Sequence, residues 1–403
     1  MTAKVHFREI DRNNTGFWGV LGFLGLLLAL GLFAAYNMEH HGHWITGMNQ
    51  QIVWGTPHVF AVFLIVAASG ALNVASISSV FAKTAYKPLA RVSAFLAVSL
   101  LIGGLAVLVL DLGRPDRLIV AMTHYNFKSI FAWNIFLYTG FMAIVGVYLW
   151  WMMDPPMQGY SKIAGFFAFL WRIILTTGTG AIFGFIVARQ AFDAAIMAPM
   201  FVTFSFAYGL AIFLLVTMAA MRMAERPIGS AILTRLKNLL GVFAAASLYF
   251  VVVYHLTNLY ATEHHGVERF ILLDGGIYTA LFWIGQVLIG YLLPIAIVYH
   301  PTLGKSPAAI AWASVFVILG GLAQMYVTII GGQAYPLILF PGMEISSTFH
   351  DGVVAEYAPS IYEVLLGIGG ISIALLAVAV GMKNLKLLPE SLEDKYVDPH
   401  ASS

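Results

Sequence analysis

Ten stretches of this chain run apolar over bilayer length, and short polar segments separate them. They fall near residues 15–36, 53–80, 93–110, 130–151, 164–188, 198–220, 238–260, 276–298, 308–330 and 361–382. Crossing the hydrocarbon core takes roughly 20 helical residues, so the pattern predicts ten transmembrane helices. The fifth run is the least regular, because Arg172 interrupts it. Segment 160–172 could lie in the membrane interface and lead into a shorter span. Glycines recur within the runs: Gly16, Gly19, Gly22 and Gly25 on one side of the first, Gly180 and Gly184 in the fifth, and the pairs Gly103–Gly104 and Gly320–Gly321. Small residues let helix backbones approach closely in lipid, which is an argument for packing and carries no chemistry.

The polar segments give the expected orientation. Five of the 21 lysines and arginines lie in one alternate set of connections: Arg114, Arg117, Lys128, Arg189 and Arg269. The other sixteen, among them Lys4, Arg12 and Arg172, fall in the set that includes both chain ends. Short loops rich in Lys and Arg stay in the cytoplasm, so both termini are expected there and the span count must be even. Most acidic loop residues lie on the outer side: Glu39, Asp193, Glu263, Glu268, Asp274, Glu344, Asp351 and Glu356. A mixed patch of that kind favours docking of an extrinsic subunit. The connection 331–360 is long enough to be functional or to cover something. The polar tail 388–403 reads as a frayed terminus or one ordered on binding.

Composition fixes the class. The 403 residues are 60% hydrophobic and 10% charged, against about 25% charged in soluble domains, and the mean hydropathy is +0.85. The chain is expected to be an all-α integral membrane protein. A net charge of +2 without a basic stripe gives no reason to expect nucleic acid as a partner. With no cysteine, disulfides, thiolate-held zinc and cysteine-held iron–sulfur clusters are excluded. The first apolar run lacks a small-residue cleavage site and reads as a helix, not a signal peptide.

The densest charge follows the third run, in Asp111-Leu112-Gly113-Arg114-Pro115-Asp116-Arg117. Asp111 and Asp116 can pair with Arg114 and Arg117 locally, and Gly113 and Pro115 break the helix at the membrane boundary. Arginine's fixed charge and fork of donors suit a carboxylate, a quinone carbonyl or a partner's acidic surface; a salt-bridged interfacial turn is the plainer alternative. Other polar residues lie towards the same outer side. Trp54 and His58 are four apart and share a helix face, as do Asn134 and Tyr138, with Trp133 adjacent. Arg189 and Asp193 are spaced to pair. A quinone headgroup needs donors at its carbonyls and aromatic walls for its ring, and a histidine beside a carboxylate can take the protons of quinol oxidation. Trp54, His58, Asp111, Arg114, Arg117, Trp133, Asn134, Tyr138, Arg189 and Asp193 together form the candidate quinone-binding set. Each could instead be a helix–helix hydrogen bond.

The heptad, followed by His124-Tyr125-Asn126-Phe127-Lys128-Ser129 and a helix holding Trp133 and Asn134, resembles the signature of the NrfD/polysulfide-reductase family of membrane anchors. The resemblance covers about residues 55–221, and length and span count are most similar to the ten-helix subgroup of the Dsr-complex type. It implies two four-helix bundles, spans two to five and six to nine, with the first and tenth spans peripheral. The chain would then divide into residues 1–52, a first bundle 53–197 holding the quinone site, a second bundle 198–330, and 331–403. It also implies a metal-free subunit that exchanges electrons between menaquinone or ubiquinone and an extrinsic ferredoxin-like iron–sulfur subunit on the outer face. The complex would handle sulfur compounds or anaerobic respiration, with further subunits including a cytochrome, and this chain would not hold the catalytic core.

A second polar set, His255, Asn258, Gln286 and Gln324, lies in later spans. It offers a proton path or, as the plainer reading, packing contacts. The absence of an acidic residue deep in spans six to nine weakens the proton-path reading, and Arg172 and Glu363 are the remaining buried-charge candidates. Two rival functions stand beside the quinone reading. A transporter would show interrupted helices at the midplane, whereas here the polar density lies at one interface. A haem b carrier would need paired histidines at one depth, which His58 and His255 could supply, but the four-histidine pattern for two haems is missing. The short clusters Glu39-His40-His41-x-His43 and Glu263-His264-His265 could hold a metal at a loop contact, though solvated loop or partner contact is the stronger reading.

Overall fold

The computed structural model describes residues 6–10, 15–337 and 352–397. Lys4, Arg12, Glu344 and Asp351, part of the long connection (338–351) and the tail end (398–403) lie outside the described residues. Among those described, ten helices are long and apolar enough to cross a membrane: α1 (Thr15–His41), α2 (Thr56–Ser79), α3 (Thr84–Leu110), α4 (Ile130–Met153), α5 (Pro155–Gly184), α6 (Met197–Met223), α7 (Ser230–Tyr260), α8 (Ile277–Tyr299), α9 (Pro307–Ala334) and α10 (Ile361–Asn384). Among the described residues the fold is all-α with ten spans, with a two-stranded antiparallel ribbon of β1 (Phe7–Arg8) and β2 (Leu388–Pro389).

Packing follows two closed circuits. α2, α3, α4 and α5 touch in a ring, as do α6, α7, α8 and α9, and the rings meet where α2 and α5 pack on α6 and where α2 crosses α9. α10 is wedged between α1 and the α2–α3 pair, so it is not a bystander at the rim. The glycine stripe at Gly19, Gly22 and Gly25 does not mark a helix contact, since a Cβ at any of them would meet nothing within 4 Å. α1 instead meets α10 further along, Gly31 against Gly369. The tightest crossing is Gly70 of α2 on Gly209 of α6, where a Cβ on either would run into the other helix's backbone.

The fifth span is a single helix, with no interfacial segment leading into a shorter one: residues from Ser161 to Gly184 are continuous. Arg172 lies inside it, only 1% exposed, so it belongs to no loop and reaches no headgroup. The guanidinium donates from Nη2 to Asn73 Oδ1 (3.1 Å) and from Nη1 to the Ser69 carbonyl (3.4 Å). Phe169 and Phe206 lie against it at 5.1 and 4.9 Å. These contacts fall where α2 is interrupted at Leu72. Ser93 Oγ bridges the same break, accepting from Ala75 N (3.0 Å) and donating to the Ala71 carbonyl (2.6 Å). Lipid offers no replacement partner for backbone groups freed in a break, so neighbouring side chains fill them.

The C-terminal tail is docked as far as Val397. Leu387, Leu388, Leu392 and Val397 are buried, and Asp394 caps α7 by accepting from Ala231 N (2.9 Å) and Ser230 Oγ (3.0 Å). Arg226 donates to the carbonyls of Arg8, Glu9 and Pro389, joining both chain ends at one face. Gly209→Val should cost roughly 1–3 kcal/mol or more through overpacking against a backbone that cannot yield. Fluorescence-detected size exclusion and melting in detergent are expected to show loss of folded protein for Gly209→Val and no change for Gly22→Val.

Candidate functional site

α3 ends at Leu110, and Asp111 caps it with its carboxylate turned inward, 1% exposed. Two histidines meet it. His58, in the first turn of α2, places Nδ1 2.9 Å from Oδ2, and His43, in the loop after α1, places Nε2 3.6 Å from Oδ1. Burial alone would push the Asp111 carboxyl up, but the two imidazoles outweigh it and hold it below its ordinary value of 3.8. Reciprocally, the Asp111 carboxylate raises His43 above 6.5 against the opposing effect of burial. The pairs are close, but neither ring N–H is in line with a carboxylate oxygen. Asp111 Oδ1 and Oδ2, His43 Nε2 and His58 Nδ1 are therefore buried without an aligned hydrogen bond among the described residues. Buried polar atoms in that condition are exceptional and demand an explanation.

The signature heptad is thus split. Gly113 takes φ +67, a left-handed turn, and a Cβ there would crowd the His43 ring at 3.3 Å. The chain swings outward beyond it. Arg114 closes a two-bond fork on Asp116 (3.0 and 2.9 Å) in solvent, and Arg117 is likewise exposed. Local pairing holds for Arg114 with Asp116, but Asp111 takes histidines instead of arginines.

Beside the carboxylate stands an aromatic wall. Trp54 stacks on His58 (6.2 Å between centroids) and meets Phe131 (6.0 Å) and Phe183 (5.9 Å). The backbone leading into α2 is irregular and is held from outside. Tyr357 Oη accepts from Thr56 N (2.7 Å) and donates to Glu363 Oε1 (2.6 Å), while Glu363 Oε2 accepts from Gly47 N and Ser360 N. Glu363 is accordingly a buried carboxylate engaged in a capping box at the start of α10.

The remaining candidates part company with this core. Asn134 Nδ2 donates to the carbonyls of Ile130 and Gly178, and Tyr138 is buried on the same face, so both serve the α4–α5 seam. Trp133 Nε1 donates to the Phe127 carbonyl (2.9 Å) at an exposed aromatic cluster. Arg189 turns from Asp193 to two backbone carbonyls, Gln333 (2.9 Å) and Gln51 (3.0 Å), and Asp193 is exposed.

The later polar set is joined by a residue that looked like outer-loop charge. Glu268, from the short helix His265–Arg269, is fully buried and takes His255 Nδ1 at 2.7 Å and Asn258 Nδ2 at 2.9 Å. The acidic group absent from spans six to nine is supplied by a folded-back loop. His255, Gln286, Gln324 and Thr328 line a cavity of about 30 Å³, room for at least one water. Gln324 Oε1 accepts from Tyr208 (2.9 Å) and also from Tyr291. His264 and His265 bond the Gln190 and Leu259 carbonyls. Among the described residues no three His, Asp or Glu side chains come together as a metal site. His43, Glu268, Gln333 and Tyr357 escaped the sequence reading, and in the sequence only His43 carried a signal, as a member of the Glu39–His43 cluster.

These features define a polytopic helical membrane protein with two clusters in which histidine meets a buried carboxylate, His43–His58–Asp111 and His255–Glu268. The chain belongs to the polysulphide reductase NrfD family, whose model matches residues 44–336, well beyond the stretch that carried the resemblance. It is 28% identical to the Hdr-like menaquinol oxidoreductase integral membrane subunit of Archaeoglobus fulgidus, over 98% of this chain and 99% of that one. It is 27% identical to a putative dimethyl sulfoxide reductase membrane subunit of Halobacterium salinarum (92% and 91% covered). It is 20% identical to the menaquinone reductase integral membrane subunit of Nitratidesulfovibrio vulgaris (93% and 92%).

The two shifts give a pH dependence of opposite limbs. His43, raised above 6.5, adds stability that is complete below 6.5 and lost as pH rises through its folded value. Asp111, lowered below 3.8, adds stability present above 3.8 and lost as pH falls through its folded value. Melting of the purified protein should therefore peak between these limits, and Asp111→Asn should flatten the decline above pH 6.5; an unaltered decline would remove the pair from the account.

Proposed function

We propose that the chain is the quinol-oxidising membrane subunit of a respiratory or sulfur-metabolism complex, with Asp111, His43, His58 and Trp54 at the substrate site. The observation that carries this reading is the buried carboxylate between two histidines, four of whose polar atoms lack aligned partners, next to an aromatic wall. Oxidising a quinol releases two electrons and two protons. His58 can bond a hydroxyl and take its proton, with the Asp111 carboxylate stabilising the imidazolium that forms, while Trp54, Phe131 and Phe183 offer a face to the ring. Menaquinol is in the name of the Archaeoglobus fulgidus relative and menaquinone in that of the Nitratidesulfovibrio vulgaris one. With no cysteine in the chain, the electrons pass to an extrinsic iron–sulfur subunit docked on the face that displays Arg114, Arg117 and Trp133. Asn134 and Tyr138 support the site by fixing α4 to α5, and Arg189 supports it through the loop it holds; Asp193 falls outside it.

In this reading the two helix circuits are the two four-helix bundles, 53–197 and 198–330, and the termini face the cytoplasm, where Lys and Arg concentrate. The site then opens towards the outer leaflet. The second bundle holds a proton path beginning at His255, Asn258 and Glu268 and continuing past Gln286 and Gln324; the cavity between them supports it.

Asp111→Asn keeps the shape and removes the carboxylate that supports proton uptake by the histidine, and general-base catalysis contributes about 10²–10⁴-fold. Menaquinol-dependent reduction by the intact complex should fall by roughly that range, with the subunits still copurifying. Electron transfer at the parent's rate would refute the site.

A further inference from the structure

Trp54 is the wall of the proposed site, yet its backbone belongs to no helix or strand. The N–H and carbonyl groups of such a segment must find partners elsewhere. For Trp54 one side chain supplies both. Gln333, at the end of α9 and 2% exposed, accepts at Oε1 from Val53 N (3.0 Å) and Trp54 N (3.1 Å). Its Nε2 donates to the Trp54 carbonyl (3.0 Å) and to the Ile329 carbonyl of its own helix (2.8 Å). An amide has two lone pairs and two donor hydrogens, and all four are used. Arg189 braces the same junction from behind, binding the Gln333 carbonyl and the Gln51 carbonyl (2.9 and 3.0 Å).

We infer that Gln333 is a positioning residue for the quinol site: from the second helix circuit it sets the Trp54 backbone, and so the indole against which His58 stacks. This rests on the reading of the Trp54–His58–Asp111 cluster as that site. The four bonds of the Gln333 amide go to Val53, Trp54 and Ile329 and none to His58 or Asp111, so its effect runs through Trp54. Arg189 takes the same role, which explains why it turns from Asp193 to carbonyls.

The test uses the intact complex in membranes, menaquinol as substrate, and an artificial electron donor to the extrinsic subunits as a control. Gln333→Met is close in size and cannot make the four bonds. It should raise the KM for menaquinol about tenfold, the effect of roughly one net hydrogen bond, while the artificial-donor rate stays at the parent's. Gln333→Glu supplies a second measurement. Ionised, it cannot donate to the Trp54 carbonyl; protonated, it can. Its KM relative to the parent should be raised at high pH and return towards one as pH falls, a profile that a purely structural role would not produce. Should Gln333→Met fail to assemble, that profile alone decides. Parent-like KM in Gln333→Met, or a flat ratio in Gln333→Glu, overturns the inference if Trp54→Phe still raises KM. If neither Trp54→Phe nor Asp111→Asn affects menaquinol oxidation, the site itself is refuted and the brace with it.

Discussion

Moving a carboxylate out of water costs several kcal/mol even after the protein relaxes. Asp111 has made that move, and the local fold is arranged around offsetting it. Two imidazoles can do so in either protonation state, as cations beside a carboxylate or as neutral partners of a carboxylic acid. The arrangement is inexpensive to discharge, because a proton arriving at the cluster has three groups on which to settle. A pair of arginines would have held Asp111 ionised permanently, and the chain keeps its two nearby arginines outside by the left-handed turn at Gly113. The consequence is geometric: a carboxylate from α3, a histidine from α2 and a histidine from the loop after α1 must converge.

The same constraint governs the other buried charges, each answered differently. Glu363 is matched by backbone N–H groups of a capping box and by Tyr357. Glu268 is matched by His255 and Asn258. Arg172 is placed at the interruption of α2, where a carbonyl and an amide oxygen face it between two aromatic rings. Histidine–carboxylate pairs thus occur in two places, His58–Asp111–His43 and His255–Glu268.

The ten spans were legible because run length in a bilayer is set by a single dimension, the thickness of the hydrocarbon. Trp54 does stack on His58, but not through the shared helix face that their spacing suggested: the helix begins at Thr56, and Gln333 holds the Trp54 backbone ahead of it. The partner of Asp111 was not legible. Its sequence neighbours are arginines, and only the turn at Gly113 decides that they point away while His43 arrives from a distant loop. Glu268 failed for a related reason: it sits among other loop acids, and nothing in its spacing shows that the short helix His265–Arg269 folds back under α7. Arg172 read as an interruption because the sequence does not show the break in α2 that receives it. Pairings made across the fold carry no periodic signature, whereas pairings within a helix do.

What remains is why one helix end should serve both polar clusters. α9 contributes Gln324 and Thr328 to the second cavity and then Gln333 to the Trp54 backbone. Between them the helix widens to a π turn over Val327–Gly331, and α8 and the segment Phe270–Asp274 widen likewise around the same cavity. Such turns are less favourable than α-helix and persist mostly where side chains must be aimed. Restoring regular α-helix there would change the phase of everything beyond it by about one residue, near 1.5 Å of rise and 100° of rotation. Hydrogen bonds lose most of their strength over misplacements much smaller than that. Gln324 could then face its tyrosines, or Gln333 its tryptophan, but not both. The π turn is therefore what allows a single rigid element to satisfy polar groups in two places at once, and it ties the geometry of each cluster to that of the other.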